Sequence, residues 1–123
     1  MARPCGGDVV AGPARYASTI VTHALAEERS LALHRAIVEK ARLEPALIDR
    51  ARARVESWGE RGEAHPYYVE AWVAVLSKPI DDILDFLVDP GEHACALRQV
   101  TPFAGALTAR ERWRILAGVR KAS

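Results

Sequence analysis

Proline sets the framework of this chain. Pro45, Pro66, Pro79, Pro90 and Pro102 stand between runs in which apolar residues recur every three or four positions. Proline disfavours the α conformation at the residue before it, yet its fixed φ suits the first turn of a new helix. A chain cut in this way folds as a series of separate helices. Leu33, Ile37, Val38 and Ala41 form one apolar stripe over residues 30–43, and Leu47, Ile48, Ala51, Val55 and Trp58 repeat it after Pro45. GERGEAHP, residues 59–66, reads as the longest internal connection. Tyr68, Trp72, Val75 and Leu76 make a third stripe over residues 67–77. Ile80, Ile83, Leu84, Leu87 and Val88 make a fourth, and a short helix over residues 91–99 follows with Ala94, Ala96 and Leu97 inward. No alternating run of five residues and no Asn-Gly or Asp-Gly turn is present, so strands are not expected. The expected fold is all-α, a compact orthogonal bundle of five to seven short helices.

The two ends differ in character. Residues 1–15 hold three Gly and two Pro with Val9 and Val10 as the bulky aliphatics, a composition that predicts a flexible segment ahead of a single helical domain over residues 16–123. The β-branched run from Thr19 to Thr22 weakens the helical pattern that follows Tyr16, leaving only a short helix expected there. The last segment carries the best start signal: Thr108 and Glu111 match a capping box, in which each side chain satisfies the other residue's backbone N–H. A helix from Ala109 to about Arg120 is predicted, with Trp113, Leu116 and Val119 buried and Arg110, Arg112, Arg114 and Lys121 exposed.

The 123 residues include 17 Lys and Arg against 16 Asp and Glu, a net charge of +1 that excludes a uniformly basic or acidic binding protein. The near-zero sum hides a polar distribution, because residues 64–100 carry a net −4 and residues 101–123 a net +4. Unless the fold joins these segments, they present faces of opposite sign. No window approaches the 18 or so apolar residues of a membrane span, and the N-terminus lacks the apolar core of a signal peptide. Two cysteines, Cys5 and Cys95, are too few for a disulfide framework or a zinc cluster. A reducing compartment and a cytoplasmic location are the expectation.

Candidate chemistry is sparse. Asp81, Asp82, Asp85 and Asp89, with His93 nearby, could chelate Mg²⁺ or share a proton, but no Glu-x-x-His pattern or second acidic helix completes a cage. An exposed acidic face without metal is the expectation. His23, His34, His65 and His93 form no H-x-x-x-H pair, and phosphate-loop, nucleophile-elbow and dinucleotide patterns are missing, so no catalytic residue and no cofactor is assigned. The stretch LRQVTPFAGALT, residues 97–108, is uncharged after Arg98 and places Phe103 in a loop. Phe103 either plugs the core or anchors a partner, with Pro102 beside it and Arg98 and Gln99 as flanking polar contacts. Tyr67 and Tyr68 face the same two alternatives. On the terminal helix, Arg110, Arg112, Arg114 and Arg120 could follow phosphates.

The phrases SLALHRAIVEK, HPYYVEAW and LRQVTPFAGALTARERWRIL resemble a group of small all-helical bacterial proteins of toxin–antitoxin-like operons, over about residues 30–120. The resemblance implies an antitoxin-type binding protein that occludes a partner enzyme. In some relatives a similar segment follows a helix-turn-helix domain, which this chain lacks, and that departure puts autoregulation by direct DNA binding in doubt. The leading expectation is therefore a non-enzymatic protein that binds and neutralises a partner through Asp81, Asp82, Asp85, Asp89, Arg98, Gln99, Pro102, Phe103, Arg110 and Arg114. The alternatives are a nucleic-acid-binding regulator using the basic last helix and a small metal-dependent enzyme built on the Asp cluster.

Overall fold

A computed structural model describes the backbone of residues 14–122 and the side chains of residues 24–119. Residues 1–13, where most of the expected flexible segment falls, lie outside the described residues. Six helices run in order: α1 (Ala14–Leu43), α2 (Ala46–Arg61), α3 (Pro66–Leu76), α4 (Ile80–Leu87), α5 (Glu92–Arg98) and α6 (Ala109–Ala122). The described chain is all-helical, as its punctuation predicts.

The first helix departs from the expectation of short pieces. Its 30 residues continue through Thr19–Thr22 without a break. No Gly or Pro lies between Ala14 and Leu43, and each β-branched residue costs a helix only a few tenths of a kcal/mol, roughly, too little to interrupt it. Pro45 does end it: Leu47 and Ile48 bond back to the carbonyls of Glu44 and Pro45, which starts α2. Helix α2 runs past Trp58, beyond the predicted boundary, and stops at Gly62, whose φ of 65° is the left-handed conformation that terminates helices. The connection expected to be the longest shrinks to residues 62–65, and residues 99–108 between α5 and α6 form a longer one. His65 caps α3 by accepting the N–H of Tyr67 on Nδ1, and Pro66 occupies the first turn.

Helix α1 is the hub, packing against α2, α4, α5 and α6, while α3 joins α2, α4 and α5. Among the described residues α6 packs on α1 alone of the helices. Trp72 sits fully buried at the centre, edge-on to Phe86 and Phe103, and its indole N–H donates to the Val100 carbonyl at 2.7 Å. Around it lie Ile37, Val38, Ala41, Leu47, Ile48, Ala51, Val55, Val75, Leu76, Ile83, Leu84, Leu87 and Leu97. Nearly every stripe read from the sequence faces this core. Ile80 and Ala96 are exposed instead, Trp113 points outward, and Leu33, Leu116 and Val119 are only half-buried.

Candidate functional site

The last helix begins with the predicted capping box. Thr108 donates its N–H to Glu111 Oε1 at 2.8 Å, and Glu111 returns its N–H to Thr108 Oγ1 at 3.1 Å. The same Glu111 oxygen accepts from Lys40 Nζ of α1 at 2.8 Å. The Lys40 hydrogen bond, with that from the Thr108 backbone, pulls the Glu111 carboxyl down to about 2. This ion pair fixes the rotation of α6. At about 100° per residue, positions two apart face nearly opposite ways, so with Glu111 turned to α1 the residue two further on must turn to solvent. Trp113 is accordingly 72% exposed, contrary to the expected burial, and Arg110, Arg112 and Arg114 stand exposed around it.

The acidic candidates separate. Asp81, Asp82 and Asp85 are exposed on the outer face of α4, opposite the buried Ile83, Leu84 and Leu87. Asp89 lies beyond the end of α4, so it does not continue the helical ladder. Its carboxylate accepts the Gly91 N–H at 2.6 Å and shapes the turn into α5. Among the described residues no group of three or more His, Cys, Asp or Glu could hold a metal ion.

The loop candidates are occupied internally. Arg98 is 3% exposed and donates Nη1 to the carbonyls of Leu87 and Asp89, which satisfies the C-terminus of α4. Burial pushes its pKa down, and the carboxylates of Glu27 and Asp89 oppose that. Its Nε finds no hydrogen-bond partner among the described residues. Pro102 and Phe103 are buried, so Phe103 takes the core alternative rather than the exposed anchor. Arg98, Pro102 and Phe103 thus offer no exposed contact face, because closing the core beneath the loop consumes them. Gln99 is exposed and donates to Glu27 of α1. Of the tyrosines, Tyr68 packs against the core and Tyr67 is exposed, the two rings meeting edge to face.

His34 acquires a role that the sequence does not disclose. It is buried, with Nδ1 2.8 Å from the Ser30 carbonyl and Nε2 3.0 Å from Thr101 Oγ1, 67 residues away. Thr101 Oγ1 also accepts the Phe103 N–H, so this pair ties α1 to the loop that delivers Phe103. Cys95 is buried, with its Sγ beside Glu27 Oε2 of α1.

One open feature lies outside every residue that the sequence marks as a candidate. A groove of about 660 Å³ runs between α2 and α3, floored by Val55, Val69, Val73 and Leu76 and edged by Arg52, Glu56 and Glu60. A second space of about 590 Å³ adjoins it through Gly59 and Val69 and adds Glu63 and Glu70 to the edge. Gly59 faces Val69 across the groove, where a Cβ would meet Val69 Cγ1 at 3.4 Å, an ordinary contact. The signal was present in α3: Val69 and Val73 lie outside its buried stripe, and a helix apolar on two sides has two faces to cover. Among the described residues no helix is long and apolar enough to cross a membrane. No family model, curated protein or solved structure matches this chain.

Proposed function

We propose that this is a non-enzymatic binding protein that neutralises a partner protein, the antitoxin of a toxin–antitoxin-like pair, acting in the cytoplasm. The observation that carries the reading is Trp113, 72% exposed on a helix whose neighbouring Arg110, Arg112 and Arg114 are exposed as well. Tryptophan and arginine dominate the energetics of protein interfaces, and an exposed Trp on a rigid helix loses little entropy on docking. The acidic Asp81, Asp82 and Asp85 lie on a different helix, so an oppositely patterned partner is steered as well as held. The resemblance of the sequence to toxin–antitoxin-like proteins supplies the class of partner.

The test is genetic and then physical. The gene beside this one is expressed alone and with this chain; growth arrest by the first, relieved by the second and not by Trp113→Ala, is expected. Harmless expression of the neighbour, or full relief by Trp113→Ala, rejects the reading.

The outward Trp113 also favours a second reading. An aromatic ring among exposed arginines is the arrangement that stacks on an unpaired base while guanidinium groups hold phosphates. That reading requires single-stranded nucleic acid binding that weakens steeply with salt and collapses in Trp113→Ala; no gel shift at about 50 mM salt removes it. The metal-dependent alternative finds no ligand set among the described residues.

A further inference from the structure

We propose that the protein self-associates head to tail, Trp113 of one copy seating in the α2–α3 groove of another. The chain carries both halves of this contact. The groove floor is aliphatic, with Val73 52% exposed and Val69 half-buried, and exposed Glu56, Glu60, Glu63 and Glu70 surround it. The knob is an indole 72% exposed and encircled by Arg110, Arg112 and Arg114. Apolar surface meets apolar surface, and an acidic edge meets a basic one.

A single copy cannot satisfy itself. The Lys40–Glu111 ion pair turns Trp113 away from the body of the molecule, and α6 packs on α1 rather than on α2 or α3. The groove cations are also committed: Arg52 donates to Asp49 at 3.0 Å and to the Leu76 carbonyl at 3.0 Å, and Arg61 lies 3.7 Å from Glu63. Glu56, Glu60 and Glu70 make no ion pair among the described residues, so the acidic edge is left for an external cation. A second copy supplies three guanidinium groups and an aromatic anchor together, which is the helix-in-groove mode of recognition. Because the two surfaces differ, the contact is heterologous and either closes into a ring or extends.

Sedimentation velocity on the full chain tests this. The wild-type protein is expected to associate with rising concentration at about 50 mM salt and to dissociate as salt screens the charged edges. Trp113→Ala and Val73→Glu, both at positions more than half exposed and checked for folding by circular dichroism, should each weaken association at least about thirtyfold. Mixing the two variants is the decisive arm. One retains the groove and the other the knob, so the mixture should recover a complex that neither forms alone. Should either variant fold poorly, Arg110→Glu with Arg114→Glu replaces it, and Glu56→Arg with Glu60→Arg in the second chain should restore association. A wild-type protein that stays monomeric at about 100 µM overturns the proposal. So does a Val73→Glu chain that associates normally, or a mixture that stays monomeric. All readouts use this protein alone, so a failure here leaves the proposed partner binding untouched.

Discussion

At the scale of single residues, the polar groups under the Pro102–Phe103 loop are the sensitive ones. His34 is buried, and burial pushes its pKa below the ordinary 6.5, with the nearby Arg98 charge acting in the same direction against the Ser30 hydrogen bond. Its neutral form is therefore the folded form. The unfolded chain binds a proton at this site before the folded one does, so the contribution of His34 is fully present above pH 6.5 and is lost as pH falls through the lowered folded value. Urea midpoints should drop between about pH 7.5 and pH 5.5, and His34→Gln should flatten that slope. An unchanged slope would remove His34 as its source. Arg98 tests the same region by chemistry rather than pH. Arg98→Met keeps the buried bulk but strands the carbonyls of Leu87 and Asp89, and the expected loss is about 1.5–3 kcal/mol, the range for a hydrogen bond from a charged donor. A loss under about 0.5 kcal/mol would mean that water replaces the guanidinium without difficulty.

At the scale of elements, the ends of helices were more readable than their rotation. Pro45 and the Thr108–Glu111 box mark boundaries that local chemistry alone decides, and both hold. Thr108→Ala should cost about 1 kcal/mol of stability, seen in thermal or denaturant unfolding, with amide exchange accelerated first in the opening turn of α6. Acid should loosen the same helix. The Glu111 carboxyl is held near 2, so its contribution is present above its ordinary 4.5 and fades as pH falls from there towards 2. Amide exchange in α6 should rise over that window in the wild type and not in Glu111→Gln. What the sequence hid is which side of a helix gets covered. Periodicity groups Trp113 with Leu116 on one apolar stripe, yet Leu116 is half-buried and Trp113 exposed, and the contact of Glu111 with Lys40, 71 residues away, is what turns Trp113 outward. Ile80 and Ala96 illustrate the same gap, as does His34, whose partner Thr101 is equally remote in sequence. Breaks failed differently: the β-branched run in α1 lowers propensity, but without Gly or Pro it has no means of ending a helix.

At the scale of the whole molecule, one exposed ring serves two proposed contacts. If Trp113 anchors both the partner protein and the groove of a second copy, the two events exclude each other wherever they draw on the same ring. Self-association then acts as a reservoir, because a copy whose Trp113 is seated in a neighbour cannot bind the partner until it is released. Mass action fixes the consequence: partner added in equal amount should disperse the assemblies, and the apparent partner affinity should fall as this protein is concentrated. The variants separate the two roles. Trp113→Ala should lose both contacts, whereas Val73→Glu, altered only in the groove, should stay dispersed and bind the partner at least as tightly as the wild type. Isothermal titration of the neighbouring gene product into each chain reads the difference directly. Tight partner binding by assemblies that remain intact would show that the two contacts use different surfaces. Loss of partner binding in Val73→Glu would instead show that the partner, too, docks in the groove.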